Sequence, residues 1–370
     1  MDARQARAAD AEAVAAFTAD TWTEFEGGDY LPDVFAEWVA TDGPDQHTVV
    51  AERDGAVAGC CQVVLLSGHE AWTQGLRVHP DHRGAGVARA MDAACRRWAC
   101  ERGAALVRNM VFSWNEQGLA AARSFGYRPR AEFRWVHPDP DDADPVDGDG
   151  KAAGEASEDG TAAAGDSPAV VTGDPDEVWG FWQRSDAREA LGGLALDPDE
   201  SWALSEWTRE RAREAAAEAS VLAVRRDGIR AAAWRTRVGE REDGDLAEYG
   251  AAGWETLADA RALFRAVERD AAAAGADRTR VLIPETPRHV SDAAAAGVEL
   301  ADDPDFVLLQ SGMGRQQGVE GVADRRAVLE VDGHLRVPGG LRERREESPV
   351  HVRERGSPDK ERCVHTVGHK

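Results

Sequence analysis

One run of local signals occurs twice in this chain, and that recurrence limits its fold more than any other feature. Val49-Val50-Ala51-Glu52-Arg53-Asp54-Gly55 is a β-rich run entering an Asp-Gly pair. Short hairpin turns select that dipeptide because it tolerates positive φ at low cost. Val221-Leu222-Ala223-Val224-Arg225-Arg226-Asp227-Gly228 repeats the run. Each copy follows a short strand and a helix, Ala3–Arg7 then Asp10–Asp20 in the first and Ala169–Thr172 then Asp174–Arg184 in the second. Asp10 and Asp174 are the expected N-caps. Each copy leads into another strand, a long helix and a strand: Arg83–Arg102 then Ala105–Val111, and Trp254–Ala274 then Arg278–Ile283. Duplication of one α+β unit explains this order, against chance similarity of two Ala-rich segments.

The 370 residues suit two such units. Between them, residues 138–167 hold ten acids, one Lys and no aromatic residue. Nothing there can cover a core, so a self-repelling, disordered linker is expected between units at 1–137 and 168–313. Residues 314–370 carry twelve Lys plus Arg against ten acids and show little periodicity, and are expected to be a disordered tail. The net charge is −24, and only three of the 44 basic residues are Lys. Such a surface suits a halophilic, cytoplasmic protein and is a poor partner for nucleic acid or anionic membrane. Met1 to Asp10 lacks an apolar signal core, and no run is long and apolar enough to span a bilayer. The five Cys form no C-x-x-C pair, so neither a disulfide framework nor a metal site is expected.

The chemistry concentrates in residues 72–88. Trp72, Gln74, Leu76 and Val78 alternate as in a half-buried strand, and Pro80 ends it. A glycine-containing loop follows. Val87, Met91, Ala94 and Trp98 then recur at helical spacing. Loop amides and the first amides of a helix lack internal acceptors and hold anions well, phosphate above all. Gly84 and Gly86 allow close approach of a ligand to the backbone, and Arg83 adds positive charge.

These residues resemble the GNAT superfamily of acyl-CoA-dependent N-acyltransferases. The pyrophosphate loop of that family reads Gln/Arg-x-x-Gly-x-Gly/Ala, which Arg83-Gly84-Ala85-Gly86-Val87-Ala88 fits. Leu76-Arg77-Val78-His79-Pro80 matches the lead into the loop. Asn115, Ala120, Ala121, Phe125, Gly126 and Tyr127 match the stretch after the family's fifth strand. The resemblance covers nearly all of 1–137 and, more weakly, 168–313. It implies two tandem α+β units of three-layer α/β/α type, each a mixed, mostly antiparallel sheet flanked by helices. It also implies acetyl-CoA as cosubstrate and direct attack by the amine of a small molecule or peptide. The main chain of Leu76, Arg77 and Val78 would pair with pantetheine. Arg83, Gly84, Ala85, Gly86, Val87 and Ala88 would cradle the pyrophosphate, and Asn115 would sit beside the pantetheine arm.

Three departures stand out. Ala122 occupies the position of the family's thiolate-protonating Tyr. Gln74 stands in the middle of the fourth strand, where the family often has a basic Glu. Glu70, acting through water, is then the expected base, with a solvated strand end as the competing reading for Glu70 and His69. In the second unit, Thr256-Leu257-Ala258-Asp259-Ala260-Arg261 replaces the glycine loop, so one acyl-CoA site per chain is expected. The missing groups keep open a non-catalytic acyl-CoA-binding or regulatory module. Glu24 to Tyr30 is expected to line the acceptor side.

Overall fold

The computed structural model describes residues 2–19, 21, 28–141, 169–218, 221–241 and 244–311. Most of the expected linker, the expected tail and residues 24–27 of the expected acceptor segment lie outside that set. The first half runs β1 (Asp2–Gln5), α1 (Ala11–Thr18), α2 (Leu31–Thr41), β2 (Gln46–Arg53), β3 (Ala56–Leu65), β4 (Glu70–Val78), α3 (Val87–Glu101), β5 (Leu106–Phe112), α4 (Glu116–Ser124) and β6 (Arg128–His137). The second half runs β7 (Ala169–Thr172), α5 (Pro175–Arg184), α6 (Asp186–Ala190), β8 (Leu194–Leu196), β9 (Leu204–Glu206), α7 (Arg209–Ala217), β10 (Val221–Arg225), β11 (Ile229–Gly239), β12 (Leu246–Trp254), α8 (Leu257–Ala273), β13 (Arg278–Pro284), α9 (Pro287–Ala295), β14 (Glu299–Leu300) and β15 (Asp305–Ser311).

Both halves share one sheet, in the order β1-β2-β3-β4-β5-β15-β6-β13-β12-β11-β10-β7, with β14 paired to β6. Only β4·β5 and β12·β13 are parallel among the described pairs. The order is symmetric about the β15·β6 pair. The last strand of each half lies against the fifth strand of the other: β15 pairs with β5 from Ser311↔Leu106 to Asp305↔Phe112, and β6 pairs with β13 from Val281↔Val136 to Pro284↔Phe133. The halves therefore exchange their final strands and form a single compact unit across the described residues.

The central strands β2 and β3 are buried on both faces. Val49, Ala51, Cys61 and Val63 pack with Val87, Met91, Cys95 and Trp98 of α3, whose apolar stripe follows the helical spacing. Val50 and Cys60 face the opposite layer with Val14, Phe17, Leu31 and Phe35 of α1 and α2. Fully burying a Val, Met or Phe contributes about 1.5–3 kcal/mol each, so both helical layers are needed to hold the sheet. A further core joins the halves. Trp72, Phe133 and Trp135 pack with Trp182, Trp207 and Trp234, the last two stacked at 4.1 Å.

Asp174 caps α5 as expected, accepting from the amides of Asp176 and Glu177. Asp10 does not cap α1. It accepts two hydrogen bonds from the Arg4 guanidinium, each at 2.8 Å, and one from the Arg7 amide. A bidentate charged partner binds a carboxylate more strongly than two helix amides do.

Candidate active site

β4 and β5 are hydrogen-bonded only where they begin, at Glu70↔Leu106, Ala71↔Val107 and Trp72↔Arg108. Beyond Thr73 they part. From there to Val78, β4 has no strand partner on its β5 side among the described residues, which leaves room for an extended, amide-bearing arm to pair with its main chain. A bulge marks the opening. On β3, Cys60↔Arg77 and Gln62↔Gln74 leave one extra residue on β4, and Gly75 takes φ +62° there. A Cβ on Gly75 would fall 2.6 Å from the Trp38 ring, so the close approach of α2 also requires glycine.

Leu76, Arg77 and Val78 line the open stretch. The side chain of Arg77 turns away to grip the fully buried carboxylate of Asp29, with Nε at 2.6 Å and Nη2 at 3.1 Å. Asp29 also accepts the Leu31 amide at the start of α2, and burial pushes the neighbouring Tyr30 hydroxyl up to about 12. Arg77 thus ties the α1–α2 connection to β4, and its Nη1 also donates to the Leu76 carbonyl at 3.2 Å.

Eight residues, 79–86, connect β4 to α3. The last, Gly86, is the N-cap of α3 at φ +83°, with no side chain to satisfy the first helical amides; Gly84 is at φ +73°. Arg83 is exposed and makes no ion pair among the described residues. Arg83, Gly84, Ala85, Gly86, Val87 and Ala88 therefore lead into a helix N-terminus without a side-chain cap, an arrangement that can hold an anion. A Cβ on Gly84 or Gly86 would meet no protein atom within 4 Å. The left-handed backbone, not crowding by neighbouring protein, is what calls for glycine there.

Asn115 lies where β5 passes into α4. Its Oδ1 accepts the Gly118 amide at 2.8 Å, so it caps α4 beside the opening. Ala122 is packed in the core and carries no proton. Tyr127 is nearby and buried; its hydroxyl donates to Asp92 Oδ1 at 2.9 Å, and burial raises it well above the usual phenol range.

Glu70 sits at the closed end of the β4–β5 pair and is 2% exposed, which removes the solvated-strand-end reading for it. Its carboxylate pairs with Arg108 and accepts from Ser67 Oγ and from the Glu206 amide, each at 3.1 Å. The Glu206 contact comes from the second half, so Glu70 helps join the halves. His69, Glu70 and Glu206 bring possible ligand atoms within 4.8 Å of one another, but Arg108 already supplies a cation there.

The corresponding region of the second half is closed. β12 and β13 also part, after Tyr249↔Val281. Only Glu255 and Thr256 connect β12 to α8, however, so the loop is cut from eight residues to two. Thr256 and Asp259 form a reciprocal capping box that satisfies the first-turn amides of α8. At α9, Thr286 caps His289 as Asn115 caps Gly118 at α4. The buried His289 ring meets Trp254 of β12 at 4.9 Å.

Residues 12–127 match the acetyltransferase (GNAT) family model. Over 72 residues the chain is 39% identical to histidine N-acetyltransferase of Xenopus tropicalis, covering 19% of this chain and 22% of that protein. The match thus spans about a fifth of the curated relative's length. The solved structure of a GCN5-related N-acetyltransferase from Sphaerobacter thermophilus superposes with a TM-score of 0.50 at 18% identity, covering 84% of this chain and 95% of that one. That likeness shows that the fold is shared across both halves.

Proposed function

We propose that this chain, whose residues 12–127 match the GNAT acetyltransferase family model, transfers an acetyl group from acetyl-CoA to an amine, using one site in its first half. The parting of β4 from β5 directly above the glycine-capped start of α3 carries this reading. Pantetheine pairs with the main chain of Leu76 to Val78 like an added strand. The pyrophosphate takes the amides of 84–88, where each hydrogen bond to a charged group contributes about 1.5–3 kcal/mol. The bulge at Gly75 turns the β4 amides toward the thioester carbonyl. Asn115 borders the arm through its cap position. The histidine N-acetyltransferase likeness supports nitrogen as the acyl acceptor.

Glu70 is a weak choice for the base. Its carboxylate is occupied by Arg108, Ser67 and the Glu206 amide at the closed end of the strand pair. We assign it the positioning role of joining the halves. The CoA thiolate has a reference pKa near that of a Cys thiol, about 8.5, so it needs no dedicated acid at Ala122.

The test is thiol release from acetyl-CoA with a panel of amines. Amine-dependent release, with the acetylated product identified by mass spectrometry, is the expected result. Binding of acetyl-CoA without turnover on any amine would favour the acyl-CoA-binding module instead.

A further inference from the structure

Gln74 precedes the bulge on β4, at the point where the strands have parted. A line of hydrogen bonds fixes its amide. Thr48 Oγ1 donates to Asp42 Oδ1 at 2.9 Å, Gln62 Nε2 donates to Thr48 Oγ1 at 3.3 Å, and Gln74 Nε2 donates to Gln62 Oε1 at 2.8 Å. Because Asp42 only accepts, the direction of every donor in the line is set, and Gln74 must turn its NH2 group outward. The second hydrogen of that NH2 goes to Glu200 Oε1 at 2.9 Å. Glu200 belongs to the other half, in the loop between β8 and β9.

That loop is built to hold one position. Asp197 is 1% exposed, and its Oδ1 accepts the amides of Asp199 and Glu200, each at 3.0 Å. Arg237 donates to the carbonyls of Asp197 and Pro198 at 2.9 and 3.2 Å. Trp202 is held at φ +67°, a left-handed conformation that disfavours any residue but glycine. Its ring faces Arg280 at 4.3 Å and Trp135 at 6.2 Å. Strain of this kind persists only where packing enforces it, and it gathers at functional positions.

We propose that Glu200, presented by the second half against Gln74, is the carboxylate that receives the acceptor ammonium and takes its proton. This rests on the acetyl-transfer reading above. The family's frequent base stands on the fourth strand; here Gln74 occupies that strand and instead orients a carboxylate from the opposite half. Burial, and less strongly Asp197, raise Glu200 above the ordinary carboxylate range, against the opposing effects of the Gln74 hydrogen bond and Arg237. A base works best when its pKa approaches the working pH. Glu200 takes one proton from the ammonium, and the freed nitrogen lone pair attacks the thioester carbonyl carbon. The C–N bond forms, the C–S bond breaks, and the proton lost by the new amide nitrogen goes to the CoA thiolate. Glu200 then returns its proton to water. The role also accounts for a second half that retains its fold without a phosphate loop of its own.

The test uses the full chain with acetyl-CoA and the best amine from the thiol-release panel. Glu200→Gln keeps an acceptor for Gln74 but cannot take a proton. It should lower kcat about 10²–10⁴-fold and remove the acid limb of the pH profile, with acetyl-CoA affinity unchanged. The exchange variant Gln74→Glu with Glu200→Gln moves the carboxylate to the other end of the same hydrogen bond, and should recover at least about tenfold of that loss. A Glu200→Gln protein that binds acetyl-CoA normally and keeps kcat within about twofold overturns the proposal alone. So does loss of acetyl-CoA binding in that variant, because the defect would then be structural. A wild-type protein that binds acetyl-CoA and acetylates no amine overturns the transfer reading and this role with it.

Discussion

Gly84 and Gly86 hold left-handed angles with open space beyond them, so the proposed pyrophosphate contact would meet bare backbone there. Asp305 makes a different demand. It is 7% exposed in β15, and burial, with a smaller contribution from Asp303, pushes its carboxyl up to about 7 against the pull of Arg280 and Arg134. In the unfolded chain it titrates near 3.9. Between about pH 4 and pH 7 the folded protein therefore holds a proton that the unfolded chain has lost, and stability falls as pH rises through that window. Asp305→Asn is neutral throughout, so its melting temperature should equal the parent's near pH 4 and exceed it at pH 8. A difference that does not change with pH would refute the assignment. The glycine pair was legible in the sequence because positive φ is written in residue type. Glu200 was not legible: its partner Gln74 is 126 residues away, and nothing local marks a loop carboxylate as facing another half.

At the scale of elements, α3 and α8 are the same helix with opposite N-termini. The start of α3 is left unsatisfied by Gly86, whereas α8 is sealed by Thr256 and Asp259. Leu257 and Asp259 announced the loss of the second glycine loop in the sequence. Asp259 is 1% exposed and serves the cap, and the loop itself is gone. Substitution of a capping Thr by Ala costs about 1 kcal/mol, with a range of roughly 0.5–2. Thr256→Ala should therefore lower the melting temperature by a few degrees and leave acetyl-CoA affinity unchanged. A changed affinity would mean that the α8 terminus takes part in cofactor binding.

At the scale of the whole molecule, the duplication was legible and the strand exchange was not. Hairpin turns and helix caps are local, but which fifth strand β6 and β15 each join is decided only when the sheet assembles. The exchange makes β15 indispensable to the first half. A chain ending at Gly314 should fold. One ending at Leu300 should lose cooperative melting, because β5 and β6 lose the strand between them and their edges are left to aggregate. Residues 1–137 alone should be insoluble for the same reason, and soluble, cooperatively folding material from either truncation would refute the exchange. The central claim is that one half binds the acyl donor while the other is closed to it. Calorimetric titration of the full chain with acetyl-CoA tests this most directly. One site per chain, abolished by Gly86→Glu in a protein that still melts cooperatively, is the predicted result; two sites per chain, or unchanged affinity in Gly86→Glu, would contradict it.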